Sequence, residues 1–342
     1  QVEISTEIVN RVVDAFQKFG GNYIETARAY GNGASEKKLG KVLEGRREDF
    51  ILCSKSEADN ADDIRRDIEQ TLENLKTDHI EFYYFHALPD EEKLSTILGP
   101  RGALQGMLKA KEEGLIGGIG LSSHRLAMYI KGMTALPIDL ILIWCNYIED
   151  MYLPAIRQEI FPFARKNDIG ITAMKPLGDG FLYRSPKQAM RYAYSNQPDV
   201  LVCGMNSVQH VIDAVESVCE GPMSPAEREK WLKKAPELGS YICRQCGKCS
   251  SSLMELFRLE GYADRQMIDY LEHDPADYAL SIRLSGWFDL KDTAVSIFNE
   301  RKWSEKQLLQ ESEAVSCPYQ IDVPRKTRLT LAKLSGGNPE II

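Results

Sequence analysis

Four side chains suited to proton transfer follow short apolar segments near the start of this chain. They are a carboxylate, a phenol, an ammonium group and an imidazole: Glu25, Tyr30, Lys55 and His86. Delivery of a hydride to a carbonyl needs a proton donor for the developing alkoxide. A tyrosine hydroxyl can donate that proton when a nearby cation stabilises the phenolate. We therefore expect Lys55 to be that cation, Glu25 to hold it, and His86 to orient the carbonyl oxygen.

Each of these residues also has a structural explanation. Tyr30 alone could be a packing residue, and Lys55 with Glu25 could be an ordinary ion pair at a rim. His86 precedes Ala87-Leu88-Pro89 and could simply cap a strand end. The functional interpretation is favoured because all four lie at or after the ends of predicted strands, where catalytic residues of (β/α) barrels lie.

A cysteine pattern in the last third of the chain indicates a metal centre. Cys243, Cys246 and Cys249 form a C-x2-C-x2-C run, and Cys317 followed by Pro318 lies far downstream. Three thiolates at this spacing wrap one face of an iron–sulfur cluster, and a remote Cys-Pro commonly supplies the fourth ligand. The alternative is a zinc site with four cysteine ligands, although zinc motifs more often pair C-x2-C with a second C-x2-C.

The elements that must position the first group alternate between strand and helix. Strand-like segments occur at residues 22–26, 50–53, 80–85, 116–121, 140–145, 169–174 and 200–203. Short apolar strands separated by helices predict a parallel sheet covered on both faces. We therefore predict an α/β fold, a (β/α)8 TIM barrel over residues 1–220, with its first strand before Gln1. An open doubly wound sheet would carry a G-x-G-x-x-G turn after its first strand, which is absent.

The pattern changes after residue 220, where strand–helix alternation stops. The cysteine run is followed by helical stretches at residues 253–288 and 293–311. We predict a second, mostly helical iron–sulfur subdomain over residues 221–342, with the first of these helices covering the cluster.

The composition excludes some functions. The 342 residues carry a net charge of −8, which disfavours binding to nucleic acid. No apolar run approaches the roughly 18–20 residues that span a bilayer, so we expect no membrane partner. A cysteine cluster of this type is typical of a metal site in a reducing compartment, and we therefore expect a cytoplasmic protein.

Several ordered motifs resemble those of the aldo-keto reductase family. They are Asn22-Tyr23-Ile24-Glu25-Thr26-Ala27, Tyr30-Gly31, Ala34-Ser35-Glu36, Leu39-Gly40, Gly120-Leu121-Ser122-Ser123-His124 and Ala173-Met174-Lys175-Pro176-Leu177-Gly178. The last of these, with the cysteine tail, is similar to a branch of the family that carries ferredoxin-like 4Fe–4S motifs. The resemblance places the family's catalytic tetrad on Glu25, Tyr30, Lys55 and His86. Glu25 stands where the family has Asp, so its contact with Lys55 must shift by about 1 Å.

The resemblance also implies a nicotinamide cofactor, NADP(H) or NAD(H). The implied contacts are Ser122, Ser123, Asn146, Lys175, Gly178, Gly204, Asn206, Ser207 and Gln209. The last four open a helix, whose N-terminus favours a phosphate. The family usually grips the 2′-phosphate of NADPH with an arginine at this helix, and there is none between Gly204 and Val218. NAD(H) therefore remains an alternative cofactor.

The number of clusters is left open by the same resemblance. The ferredoxin-like branch often carries two C-x2-C-x2-C-x3-C-P motifs, but Ser250-Ser251-Ser252 stands where the first Cys-Pro would be. One or two 4Fe–4S clusters are therefore expected.

Three functions compete at this point. The first is a nicotinamide-dependent carbonyl or alcohol oxidoreductase that acts on a small molecule and has an iron–sulfur cluster for electron transfer. The second is a redox enzyme fed by a ferredoxin or another electron carrier, with a vestigial nicotinamide site. The third is a non-catalytic redox-sensing or binding barrel.

Overall fold

A seven-stranded parallel sheet dominates the computed structural model, which describes residues 4–268 and 290–337. The strands are β1 (Tyr23–Glu25), β2 (Ile51–Ser56), β3 (Ile80–Phe85), β4 (Ile116–Ser122), β5 (Leu140–Trp144), β6 (Gly170–Met174) and β7 (Val200–Leu201). They pair in the order in which they occur along the chain. This order is that of a TIM-like barrel, whereas a doubly wound sheet reverses its strand order at a switch point. All seven predicted strands are confirmed.

Helices separate the strands and continue beyond them. They are α1 (Thr6–Lys18), α2 (Ala34–Val42), α3 (Ala61–Leu75), α4 (Glu91–Leu98), α5 (Ala103–Glu112), α6 (Leu126–Ala135), α7 (Glu149–Tyr152), α8 (Phe161–Lys166), α9 (Pro186–Tyr194), α10 (Val208–Cys219), α11 (Pro225–Lys234), α12 (Ser251–Asp264), α13 (Lys291–Arg301), α14 (Glu305–Glu313) and α15 (Val323–Ser335). In the described residues, none of these helices is long and apolar enough to cross a membrane.

The predicted helix over residues 253–288 ends earlier than expected. Helix α12 stops at Asp264, because Arg265 adopts a left-handed conformation that breaks the helical hydrogen-bond pattern. The remainder of that stretch, from residue 269 to 288, lies outside the described residues.

The chain forms two compact units. The sheet unit contains Gln1–Trp144, Ala155–Met174 and Gln197–Glu220, and the cysteine unit contains Cys145–Pro154, Lys175–Asn196 and Gly221–Ile342. All seven strands belong to the sheet unit. Two segments that precede residue 220 belong to the cysteine unit, so neither unit is one continuous stretch of chain.

The sheet unit is built around strands that are buried on both faces. All five residues of β5 are buried, as expected for a parallel strand covered by helices. Helices α2 and α3 approach closely at Gly40, where a Cβ would collide with the backbone carbonyl of Asn74. A glycine is needed there, since any side chain would push α2 away from α3.

The cysteine unit combines an apolar core with a buried charge network. Side chains from α12, α13, α14 and α15 form the core, including Leu253, Phe257, Ala294, Leu308 and Leu331. Beside it, Glu260 is fully buried and pairs with Lys326 and, at 2.7 Å, with Lys333. Burial alone would raise the pKa of Glu260, but the two ammonium groups lower it to about 2. Pairing of this kind is what allows charges to remain inside a protein.

Candidate active site

Three adjacent strands bring the four candidate catalytic residues to one edge of the sheet. Glu25 ends β1, Lys55 lies one residue before the end of β2, and His86 directly follows β3. Main-chain hydrogen bonds hold the connecting segments in place. The amide of Arg28 donates to the Lys55 carbonyl at 3.0 Å, and the amide of His86 donates to Ser56 at 2.9 Å. The structure therefore places the predicted set where the (β/α) barrel argument expects catalytic residues.

Lys55 is held by two short hydrogen bonds. Its Nζ donates to Glu25 Oε1 and to the carbonyl oxygen of Thr26, each at 2.7 Å. The lysine side chain is 1% exposed. Burial by itself would lower the pKa of Lys55, but the attraction of Glu25 and Tyr30 outweighs burial and raises it. This pairing favours the charged form of Lys55.

The longer carboxylate of Glu25 reaches Lys55 without losing the ion pair. Only one of its oxygens is used for this, since Glu25 Oε2 is buried without a hydrogen-bond partner in the described part of the chain.

Tyr30 lies between the cation and the imidazole. The Lys55 Nζ is 4.9 Å from the centre of the Tyr30 ring, and the Tyr30 and His86 rings meet edge-on with 6.0 Å between their centres. Nδ1 of His86 lies 3.5 Å from Glu57 Oε1. Tyr30 is 39% exposed, so its phenol is open to a small molecule while Lys55 is shielded from water. This arrangement suits proton donation from Tyr30.

A buried carboxylate that the sequence analysis did not single out positions the Tyr30 segment. Glu36, in α2, is fully buried and accepts hydrogen bonds from Arg28 Nη1 (2.9 Å), Ser54 Oγ (2.7 Å), Thr71 Oγ1 (2.8 Å) and Asn74 Nδ2 (2.9 Å). Arg28 precedes Tyr30 by two residues, so its pairing with Glu36 anchors the segment that carries Tyr30. The sequence contains a signal for this burial. Glu36 shares one helical face with Leu39 and Gly40, so it is an acidic residue on an apolar face.

Two of the residues implied for the cofactor hold the segment after His86. Ser122 Oγ accepts a hydrogen bond from the amide of Ala87 at 2.9 Å, and Ser123 Oγ donates to the carbonyl of Leu88 at 2.6 Å. Both serines are buried. Their hydroxyls therefore support the histidine segment, and their contact with a nicotinamide stays a prediction.

A second group of cofactor candidates gathers at the start of α10. Ser207 caps this helix by accepting a hydrogen bond from the amide of His210 at 3.2 Å. Gly204 and Asn206 precede the cap, and Gln209 lies in the first turn. No acidic side chain occupies that turn, and a Cβ at Gly204 would meet nothing within 4 Å. The helix start is thus open and electropositive.

The remaining cofactor candidates, Asn146, Lys175 and Gly178, belong to the cysteine unit. Asn146 is buried, accepts from the amides of Ile148 and Glu149 at 3.0 and 3.1 Å, and donates to the Lys175 carbonyl at 2.9 Å. Asn146 therefore fastens the segment that carries Lys175 and Gly178. Burial lowers the pKa of Lys175 to about 8.

The four cysteines of the predicted cluster line one pocket. Cys243, Cys246, Cys249 and Cys317 border it together with Arg244, Lys248, Met254, Phe257 and Tyr319. The amide of Gln245 lies 3.4 Å from the sulfur of Cys243. Within residues 4–268 and 290–337, no group of three or more His, Cys, Asp or Glu side chains is arranged to hold a metal ion, so the iron–sulfur cluster stays a prediction.

Glutamine at position 25 should both destabilise the fold and change the pH dependence of catalysis. Glu25→Gln leaves Lys55 buried without its counter-charge, and breaking a buried pair costs about 3–5 kcal/mol of unfolding free energy. The pKa of Lys55 should then fall, because burial is no longer opposed, and the alkaline limb of the pH–rate profile should move to lower pH. Urea unfolding and the rate profile measure the two effects. Glu25→Asp keeps the charge and is the matched control; equal behaviour of both variants would contradict this assignment.

Comparison with known proteins identifies the family. The model of the aldo/keto reductase family matches residues 2–239. The chain is 29% identical over 222 residues to D-threo-aldose 1-dehydrogenase from a Pseudomonas species, covering 56% of this chain and 66% of that protein. It is 26% identical over 259 residues to L-galactose dehydrogenase from Arabidopsis thaliana, covering 63% and 78%.

Solved structures agree on the fold. An aldo-keto reductase from Bacillus halodurans in its holo form is 20% identical, with a TM-score of 0.57, over 68% of this chain and 90% of that one. An aldo-keto reductase from Klebsiella pneumoniae in complex with NADPH is 17% identical, with a TM-score of 0.57, over 68% and 86%. The named dehydrogenases among the relatives are consistent with an NAD(P)H-dependent oxidoreductase. With 238 of its residues matched in one continuous segment, from residue 2 to 239, the chain belongs to the aldo/keto reductase family.

Proposed function

We propose that this protein interconverts a small carbonyl compound and its alcohol with a nicotinamide cofactor, and that Tyr30 transfers the proton. The observation that carries this proposal is the buried Glu25–Lys55 pair beside the exposed phenol of Tyr30. In the reductive direction, Tyr30 donates its hydroxyl proton to the carbonyl oxygen. Lys55 stabilises the phenolate that remains, and Glu25 keeps Lys55 charged and in position. His86 orients the carbonyl oxygen beside Tyr30.

The nicotinamide, when bound, supplies the hydride. Two features of the protein fit such a cofactor: the open N-terminus of α10, which suits a phosphate, and the cation of Lys175. Ser122, Ser123, Asn146, Gly178, Gly204, Asn206, Ser207 and Gln209 complete the proposed contacts. We favour NADP(H). NAD(H) is the alternative, because residues 204–218, which lead into α10 and form most of it, contain no arginine.

We propose further that Cys243, Cys246, Cys249 and Cys317 hold a 4Fe–4S cluster. The pocket that these cysteines border supports it, because it brings Cys317 to the same place as the C-x2-C-x2-C run. The Gln245 amide near the Cys243 sulfur is the kind of donor that stabilises cluster sulfurs. The cluster would store or pass single electrons. Cys246 is exposed, which would allow exchange with a ferredoxin or another carrier. We propose that residues 221–342 form the subdomain that carries this cluster.

One anaerobic preparation tests both parts. Iron, zinc and acid-labile sulfide are measured on the same sample that is titrated with NADPH and NADH and assayed on carbonyls and alcohols. About four irons per chain with nicotinamide binding and turnover is the expected result. Zinc in place of iron would overturn the cluster, and iron without nicotinamide binding would overturn the reductase and favour a ferredoxin-fed enzyme.

Nicotinamide affinity should depend on the protonation of Lys175. Its pKa of about 8 means that the free protein carries this cation below pH 8 and loses it above. A bound phosphate favours the protonated form, so NADPH affinity should be greatest below pH 8 and fall by up to about tenfold per pH unit above it. Fluorescence titration from pH 6.5 to 9.5 measures this. Lys175→Met should bind more weakly at pH 7 and show no such fall; a fall unchanged in that variant would assign it to another group.

A further inference from the structure

The turn that ends α12 carries two consecutive buried side chains in strained backbone. Arg265 and Gln266 both have a φ of 57°, a left-handed conformation that costs energy for residues other than glycine. Their exposed fractions are 3% and 1%. Strain of this kind persists only where the surrounding contacts hold it, so the partners of the two side chains indicate what the turn is for.

Gln266 contacts the cysteine loop. Its side-chain oxygen accepts a hydrogen bond from the amide of Cys243 at 2.9 Å. The main-chain amide of Gln266 donates to Asp264 Oδ1 at 2.8 Å, which fixes the turn. The first cysteine of the proposed cluster is thus positioned by this turn.

Arg265 contacts the segment that is proposed to bind the cofactor. Its Nη1 lies 3.0 Å from Asp179 Oδ2, and its Nη2 lies 2.8 Å from Glu149 Oε1. The other oxygen of Asp179 lies 3.5 Å from the ammonium group of Lys175. Asp179 itself is left-handed, with a φ of 58°, and sits between Gly178 and Gly180. One guanidinium therefore joins two carboxylates that come from different segments of the cysteine unit.

Arg265 changes the net charge around Asp179, which matters for binding an anionic cofactor. A nicotinamide dinucleotide carries a pyrophosphate, and a carboxylate within the loop that receives it would repel it strongly in a site shielded from water. Lys175 alone cannot both neutralise Asp179 and attract a phosphate. Arg265 and Lys175 together balance the carboxylates of Asp179 and Glu149, so these side chains would carry a net negative charge without Arg265.

We propose that Arg265 is a positioning residue for the nicotinamide site: it neutralises Asp179 and orders the loop of residues 175–180, so that a residue from the cysteine-bearing tail sets cofactor affinity. This inference rests on the proposed function. A purely structural ion pair is the competing explanation, since removing one partner of any buried pair destabilises a protein. The two explanations differ in what happens when Asp179 loses its charge.

A double-mutant cycle on the anaerobically purified, iron-loaded protein separates them. NADPH dissociation constants are measured by fluorescence at pH 7 for the wild type, Arg265→Met, Asp179→Asn and the double variant. Arg265→Met should weaken NADPH binding by about tenfold or more, Asp179→Asn should leave it unchanged or tighter, and the double variant should recover most of the loss. Arg301→Met is the matched control, because Arg301 is exposed and pairs with Glu255 in the same unit. It should bind as the wild type does.

Iron content and thermal unfolding of each variant report on folding. If Arg265→Met does not fold, Arg265→Lys takes its place, paired with Asp179→Asn in the same cycle, and should show a smaller loss that Asp179→Asn again reverses. Wild-type affinity in Arg265→Met, or a loss that Asp179→Asn fails to reverse, would overturn the role of Arg265 while leaving the reductase intact. A wild-type protein that binds neither NADPH nor NADH would overturn the proposed function, and this inference with it.

Discussion

Replacing Tyr30 with phenylalanine should lower kcat for carbonyl reduction by about 10²–10⁴-fold, the usual contribution of a positioned general acid. The substitution removes one oxygen from an exposed ring, so packing against His86 and Lys55 should survive. Steady-state kinetics on the best carbonyl substrate measure the loss. The substitution should change kcat more than KM, because the lost hydrogen bond is made chiefly in the transition state.

Two further measurements make this result interpretable. NADPH affinity and iron content should match the wild type, which shows that the loss is chemical. Tyr194→Phe, a half-buried tyrosine at the end of α9, should keep full activity as the matched control. Tyr30→Phe with activity within threefold of wild type would assign proton donation to another group. Loss of activity in Lys55→Met with Tyr30→Phe unaffected would point to Lys55 itself.

Replacing Cys246 with serine should remove most of the iron, from about four atoms per chain to less than one. A hydroxyl is a poor ligand for iron in a sulfur cluster, and three remaining thiolates hold the cluster weakly. Iron analysis and the visible absorbance of the anaerobically purified variant measure the loss. Cys219→Ser is the matched control, since Cys219 is exposed and does not line the pocket.

The same experiment on Cys317 tests the ligand set. Cys317 lies 68 residues after Cys249 in the chain but borders the same pocket, so Cys317→Ser should lose iron as Cys246→Ser does. Full iron in Cys317→Ser would show that the fourth ligand is another group. Full iron in Cys246→Ser would contradict the cluster as proposed.

The sequence determined those features that depend on local pattern. The seven strands were predictable because each is a short apolar run bounded by helical spacing, and strands buried on both faces leave that signature. The candidate site followed from the same reasoning, since Glu25, Lys55 and His86 stand at the ends of successive strands that must share one edge of a parallel sheet. The cysteine spacing likewise predicts a metal centre, because ligand spacing is a local pattern.

Only the tertiary structure decided which distant polar groups pair. Glu36 accepts a hydrogen bond from Asn74, 38 residues away, and Arg265 pairs with Asp179, 86 residues away. Neither partner can be identified from periodicity, because a buried polar contact depends on how separate segments pack and not on the spacing within either one. The same holds for the end of α12 at Asp264, where contacts of Arg265 and Gln266 with other segments hold a backbone conformation that their own residue types disfavour. Local periodicity thus determined the elements, while the packing of remote segments determined the charges that position the site.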